Sequence, residues 1–127
     1  MLDRTTGGCL CGAVTYEISG PLRGVFFCHC SQCRKQSGHF VAATACEDAD
    51  LSLAGADNLS WYAASEIAKR GFCRNCGSLL FWKQHDLTTT SVMAGSVDLP
   101  SGLHGTCHVY VADKGDYYDI TDGLPQE

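Results

Sequence analysis

The sequence predicts a small, mainly β protein that folds as one domain over residues 1–127, and three observations support this prediction. A chain of this length is typical of one domain and should bury roughly two-thirds of its unfolded surface. Its apolar segments are short and are separated by Gly, Asp and Ser, as in strands joined by turns. No Pro-rich or Ser-rich linker and no internal repeat divides the chain, so nothing indicates a second domain.

These apolar segments predict seven strands, and one polar segment predicts a short helix. Val14, Tyr16 and Ile18 alternate with polar residues, which is the pattern of a half-buried strand. Ser31 is the predicted N-cap of the helix, and Gly38 is expected to end it. The strands are expected at residues 13–18, 25–28, 40–45, 59–62, 79–83, 88–94 and 108–112, and the helix at residues 31–37.

Composition and charge exclude several functions. The net charge of -5 argues against nucleic acid as a partner, because phosphate recognition uses clustered Lys and Arg. No apolar run approaches the roughly 20 residues that span a bilayer, so we expect no membrane partner. The N-terminus lacks the pattern of a secretory signal, which predicts a cytoplasmic location. In that compartment, an odd number of nine cysteines favours metal binding over a disulfide framework.

Two close pairs of cysteines, Cys9 with Cys11 and Cys73 with Cys76, predict a closed zinc site. Residues two apart in an extended strand point to one face, so the first pair can offer both sulfurs to one ion. A tight turn does the same for the second pair, and Gly77 is expected to supply its unusual backbone angle. Four thiolates in a tetrahedron form a structural zinc site that contributes directly to folding.

A third group, Cys28, Cys30 and Cys33, supplies three sulfurs with no fourth cysteine nearby in the sequence. Zinc with three protein ligands and one open position is typical of catalytic sites. Three thiolates make the ion electron-rich, so the site suits a substrate thiol better than hydrolysis. Arg34 follows the last cysteine and is the candidate to bind a substrate carboxylate. The sequence therefore predicts two zinc ions, one structural and one of the catalytic type.

Other residues near these groups have more ordinary expected roles. Cys46 and Cys107 stand alone and are expected to be buried, inert thiols. His29 should point away from the metal as a spacer, with His39 as a possible fourth ligand or proton donor. Aromatic residues expected to build the core are Trp61, Tyr62, Phe81 and Trp82.

Six motifs give the chain a family resemblance: Gly8-Cys9-x-Cys11-Gly12, Cys28-His29-Cys30-x-x-Cys33-Arg34-Lys35, Gly38 with Phe40, Phe72-Cys73-x-x-Cys76-Gly77-Ser78-x-Leu80, Gly95-Ser96-Val97-Asp98 and Asp122-Gly123-Leu124-Pro125. On these residues the sequence resembles the glutathione-dependent formaldehyde-activating enzyme family, to which the centromere protein V domain also belongs.

The resemblance implies a zinc-stapled β-tent of three antiparallel sheets with one short helix after the Cys28–Cys33 cluster. It implies a structural zinc on Cys9, Cys11, Cys73 and Cys76, and a second zinc on Cys28, Cys30 and Cys33. The implied activity is that of a carbon–sulfur lyase that joins glutathione or a similar thiol to formaldehyde or another small aldehyde. It also places Asp98 near the second metal, although a turn is the more ordinary role of that residue.

Two alternatives stay open. The same zinc fold can serve as a non-catalytic scaffold that binds a protein partner. A similar shape also occurs in peptide methionine sulfoxide reductase B, which combines a four-cysteine zinc site with a lone reactive cysteine. A saturable, thiol-dependent reaction would distinguish the enzyme from the scaffold.

Overall fold

A computed structural model describes residues 4–127, so residues 1–3 of the predicted domain lie outside the described part. The described chain forms ten strands and one α-helix, with short 3-10 turns between them. The strands are β1 (Arg4–Gly8), β2 (Thr15–Ser19), β3 (Val25–Cys28), β4 (Val41–Glu47), β5 (Leu51–Ala54), β6 (Leu59–Tyr62), β7 (Ala68–Cys73), β8 (Leu79–Gln84), β9 (Thr89–Met93) and β10 (Gly105–Val109), and the helix is α1 (Ser31–Ser37).

The strands form two sheets, which confirms the mainly β prediction and corrects the implied number of sheets. One sheet has the strand order β1-β2-β5, and the other has the order β10-β3-β4-β9-β8-β7-β6. Two sheets form instead of three because β8 pairs directly with β9, through Phe81 opposite Val92 and Trp82 opposite Ser91. The pairing is antiparallel throughout except between β10 and β3, which run parallel.

The main hydrophobic core lies between the two sheets. The predicted alternation is confirmed in β2, where Tyr16 and Ile18 are buried and pack with Leu80 and Phe81 of β8. The sheets approach closely at Gly7 of β1, where a Cβ atom would overlap the Tyr16 hydroxyl and the backbone oxygen of Ser96. Glycine is therefore required there because a larger residue would push the two sheets apart.

Not all of the aromatic residues predicted to build the core are buried. Phe81 is buried, but Trp61 and Tyr62 are exposed because β6 is the outer strand of the larger sheet. Trp82 belongs to a second, smaller hydrophobic cluster with Val41, Ala43, Met93 and Cys33, which lies beside α1. This second cluster places one predicted metal-binding cysteine in an apolar environment.

Helix α1 has the predicted bounds but a different N-cap. Cys30, not Ser31, caps it, with its Sγ accepting a hydrogen bond from the Cys33 backbone N–H at 3.4 Å. Gly38 ends the helix as expected, and its N–H donates to the Arg34 carbonyl. No helix in the described part of the chain is long and apolar enough to cross a membrane.

Candidate metal centres and cleft

The structure brings Cys9, Cys11, Cys73 and Cys76 together in one cluster, with all four sulfurs within 4.8 Å of one another. The Sγ atom of Cys11 lies 3.7 Å from that of Cys9 and 3.7 Å from that of Cys73. A disulfide needs about 2.05 Å, whereas a tetrahedral zinc site with bonds of about 2.3 Å places its sulfurs about 3.8 Å apart. The sulfur geometry therefore fits a tetrahedral metal site.

Each pair in this cluster is formed by a turn that ends in glycine. The predicted turn at Cys73 is confirmed, since the Gly77 N–H donates to the Cys73 carbonyl and Gly77 has a φ of 80°. The extended conformation predicted for Cys9 and Cys11 is wrong. They lie in a turn after β1, where the Gly12 N–H donates to the Cys9 carbonyl and φ of Gly12 is 81°. A positive φ costs glycine little, so a turn that ends in glycine can position the two cysteines of each pair.

Ser78 favours the thiolate form of one cysteine in this cluster, which is the form that binds metal. Hydrogen bonds from the Ser78 side chain and backbone lower the pKa of Cys76 to about 5. The Ser78 Oγ also accepts a hydrogen bond from the Leu10 backbone N–H at 3.0 Å. Ser78 therefore favours a thiolate on one pair while it holds the turn that carries the other pair.

The second cluster contains Cys28, Cys30 and Cys33, whose sulfurs also lie within 4.8 Å of one another. Cys28 ends β3, Cys30 caps α1 and Cys33 lies in the first turn of that helix. The pKa of Cys33 is lowered to about 6, chiefly by a hydrogen bond from Cys28 and, against the effect of burial, by the Arg70 guanidinium. The pKa of Cys28 is raised by the same pairing. The cluster thus stabilises at least one thiolate.

All three cysteines of this cluster line a cleft of about 600 Å³. Its walls are largely apolar, and they include Phe26, Val41, Ala43, Ile67, Trp82 and Met93. Tyr110 also lines the cleft and has a φ of 57°, which is an uncommon backbone conformation for a tyrosine. An apolar cleft of this size can hold a small organic molecule against the cysteines.

Arginine contacts differ from the expected ones. Arg34 donates from its Nε to the Asp113 carbonyl at 3.2 Å and is not among the cleft-lining residues. Arg70 of β7 lines the cleft instead, with only 5% of its surface exposed, and its Nη1 donates to Cys33 Sγ at 3.5 Å. Arg70 was not predicted from the sequence as a site residue, because its direct neighbours, Lys69 and Gly71, give no sign of a buried, paired cation.

His29 is fully buried and belongs to a hydrogen-bonded chain of four side chains. Its Nε2 lies 2.8 Å from His108 Nδ1, and its Nδ1 lies 2.6 Å from the Tyr118 hydroxyl. His108 Nε2 lies 2.8 Å from Asp122 Oδ2. The expectation that His29 points away from the metal agrees with this position, but its role exceeds that of a spacer.

The hydrogen bonds among these four side chains run in one consistent direction from donor to acceptor. The backbone of Leu124 and the His108 ring lower the pKa of Asp122, so its carboxylate accepts and His108 Nε2 donates. Burial lowers the pKa of His29 and favours its neutral imidazole. An imidazole that donates from Nε2 can accept at Nδ1, so His29 Nε2 donates to His108 Nδ1. The Tyr118 hydroxyl, with its pKa raised by burial, donates to His29 Nδ1. All four groups are therefore satisfied.

Four other candidate residues lie outside the three-cysteine cluster. The Nδ1 atom of His39 is hydrogen-bonded to the Tyr117 hydroxyl at 2.8 Å, and His39 does not belong to the group formed by the three sulfurs. Asp98 accepts a hydrogen bond from the Thr6 hydroxyl at 2.7 Å and ties its loop to β1. Cys46 and Cys107 are buried as expected.

Both clusters consist of sulfur donors, which are the ligands that zinc and other soft ions prefer. The four-cysteine cluster is complete, while the three-cysteine cluster meets a cleft that can deliver a fourth ligand. Fold and clusters together define a small β protein with one closed and one open site that can hold metal.

Comparisons with known proteins agree with this class. The family model described as glutathione-dependent formaldehyde-activating enzyme matches residues 4–113. The chain belongs to this family. An uncharacterized lyase of Schizosaccharomyces pombe is 33% identical over 76 residues, which cover 60% of this chain and 55% of that protein. The chain therefore spans about half the length of this curated relative.

A solved structure supports the fold. The crystal structure of a Rhodobacter sphaeroides protein superposes with a TM-score of 0.62 and 30% sequence identity. The match covers 72% of this chain and 85% of that chain. Over the matched part, the fold of this chain is thus similar to one observed in a crystal.

Proposed function

We propose that this chain is a zinc-dependent carbon–sulfur lyase that joins a thiol, glutathione or a similar one, to a small aldehyde. The observation that carries the proposal is the position of Cys28, Cys30 and Cys33 in the wall of a cleft of about 600 Å³. Membership of the formaldehyde-activating family and the lyase description of the yeast relative support the same reaction class.

The proposed reaction forms a bond between the thiol sulfur and the aldehyde carbon. The carbon–oxygen double bond becomes a single bond, and the proton lost by the thiol ends on the oxygen, so no oxidant or reductant is needed. Cys28, Cys30 and Cys33 would hold a zinc ion, which would supply Lewis acidity that favours the thiolate form of a thiol. The four-cysteine cluster would hold a second, structural zinc ion.

The side chains of the cleft would bring the two reactants together. Phe26, Trp82 and Met93 form apolar walls of the cleft beside the three cysteines. Holding a thiol and a small aldehyde in near-attack geometry removes much of the entropy cost of their encounter. Proximity, not acid–base catalysis by a side chain, is therefore expected to supply most of the rate.

Zinc content and thiol-dependent turnover test this function. We expect two zinc ions per chain and a saturable increase in the rate at which labelled formaldehyde becomes the S-hydroxymethyl thiol, followed by NMR. Cys30→Ser should lower the rate to the uncatalysed background because it removes a ligand from the open site. Cys107→Ser is the matched control, since Cys107 lies outside both clusters.

Two results would contradict the proposal. A protein that holds both ions but adds nothing to the background rate with any thiol would favour the scaffold or partner-binding alternative. Equal rates for Cys30→Ser and the wild type would show that the reaction does not depend on the three-cysteine cluster. The reductase alternative is disfavoured by three sulfurs within 4.8 Å, because that chemistry uses a lone reactive cysteine.

The role of Arg34 in binding a substrate carboxylate stays a prediction. We expect Arg34→Ala to raise KM for a thiol that carries a carboxylate by about tenfold, the effect of one charged hydrogen bond. KM for a thiol without a carboxylate, such as cysteamine, should not change, and zinc content should equal that of the wild type. An equal KM increase for both thiols, or none, would refute the assignment.

We also propose a cytoplasmic location. None of the nine cysteines is in a disulfide, and a reducing compartment keeps thiols available for metal. Fluorescence microscopy of the tagged chain would test this, and a signal confined to an oxidising compartment would contradict it.

A further inference from the structure

Arg70 is a buried cation with an unusual set of partners. It lies in β7 and has 5% of its surface exposed. A buried guanidinium normally requires an anionic partner, because the loss of hydration is costly. Yet Arg70 takes part in none of the ion pairs formed among residues 4–127.

All the observed partners of this guanidinium lie on α1. Nη1 donates to Cys33 Sγ at 3.5 Å and to Gln36 Oε1 at 3.2 Å. Nη2 donates to Gln32 Oε1 at 3.1 Å. The two glutamine oxygens are neutral, so the sulfur is the one group in this contact set that can carry negative charge.

The remaining nitrogen indicates that the position of Arg70 is not set by hydrogen bonding alone. Its Nε is buried and has no hydrogen-bond partner within residues 4–127. An unpaired buried donor of this kind is destabilising because it has lost its hydration without gaining a hydrogen bond. A compensating attraction is therefore needed, and the three-cysteine cluster beside the other end of the guanidinium can provide it.

The net charges of the metal-bound cluster and of Arg70 indicate that this attraction is electrostatic. Three thiolates and one divalent ion carry one net negative charge, and Arg70 supplies one positive charge. We propose that Arg70 is a positioning residue of the open metal site: it neutralises the three-thiolate site and orients Cys33 for metal binding. This inference rests on the proposed function, because it requires that Cys28, Cys30 and Cys33 hold an ion.

The contacts of Arg70 also explain how this one side chain can fix the position of Cys33. Gln32, Cys33 and Gln36 are neighbours on one side of α1, so Arg70 contacts this side at three points. These contacts connect the helix to β7, whose last residue, Cys73, belongs to the other cluster. Arg70 therefore holds Cys33 against a strand that is itself anchored.

The test compares metal affinity in two variants and one control. The dissociation constant of each site is measured by competition of zinc-loaded protein with a chromogenic chelator. Arg70→Met should weaken the open site by about 10–100-fold, the usual effect of losing a residue that supports a ligand. Arg70→Lys should lie between this variant and the wild type. Arg34→Met, which removes the neighbouring guanidinium without touching sulfur, should bind as the wild type does.

Four results would overturn the inference, and they are distinguishable. Wild-type protein that holds metal only at the four-cysteine site would overturn the proposed function as well. Normal affinity in Arg70→Met, or equal weakening in Arg34→Met, would overturn the role of Arg70 alone. If Arg70→Met fails to fold, Arg70→Lys decides: an unchanged affinity together with an unchanged sulfur-to-metal band after cobalt substitution would refute the role.

Discussion

Replacing Cys73 by serine is expected to abolish the cooperative unfolding transition of this protein. Cys73 is fully buried, ends β7 and belongs to the four-cysteine cluster. Structural zinc contributes about 10–16 kcal/mol in small zinc domains, whereas a whole domain is stable by only about 5–15 kcal/mol. Thermal unfolding followed by circular dichroism, with metal analysis of the same sample, measures the result.

A matched substitution separates the metal from simple burial. Cys46 is also buried but belongs to neither cluster, so Cys46→Ser should lower the free energy of unfolding by about 1–3 kcal/mol, the cost of burying an unpaired hydroxyl. It should keep both metal ions. If Cys73→Ser melts at the wild-type temperature, the four-cysteine cluster does not hold a structural ion.

The second large effect is expected at His29. His29→Leu keeps much of the buried volume but removes the acceptor for Tyr118 and the donor to His108. The buried His108 and the half-buried Tyr118 then each lose a hydrogen-bond partner, a loss of about 1–3 kcal/mol for a buried group, so the free energy of unfolding should fall by about 2–4 kcal/mol. Because His29 lies between Cys28 and Cys30, the open site should also release metal faster. Urea unfolding and chelator-driven release measure the two effects.

His85→Leu is the control for this prediction, because His85 is exposed in the turn after β8. It should change the free energy of unfolding by less than about 0.5 kcal/mol, as is usual for a surface position. A His29→Leu protein within the same margin would show that the hydrogen-bonded chain has little energetic value.

The cysteine clusters were predictable because ligand spacing is a local property. Cys73 and Cys76 need one turn with a glycine after it, and Cys28, Cys30 and Cys33 need one strand end followed by a helix. The helix bounds follow from equally local signals. The turn at Cys9 was not predicted, because a two-residue spacing of cysteines fits both an extended strand and the turn that follows one.

The non-local features could not be predicted in the same way. Strand β1 contains Thr5, Thr6, Gly7 and Gly8, which show no apolar alternation, and Gly7 permits its close approach to Tyr16 and Ser96. The partners of Arg70 and His29 come from distant segments, so spacing carries no information about them. The predicted strand at residues 108–112 is displaced to Gly105–Val109 because Tyr110 takes a positive φ and turns the chain.

The two clusters differ in how far apart their ligands lie along the chain. Cys11 and Cys73 are 62 positions apart, while the three-cysteine cluster is contained in the β3–α1 segment. Closing a long loop costs more conformational entropy than closing a short one. When zinc is present during refolding, the short segment is therefore expected to capture its ion before the sheets assemble. The closed site fills last, and its filling marks the moment at which the two sheets become one folded unit.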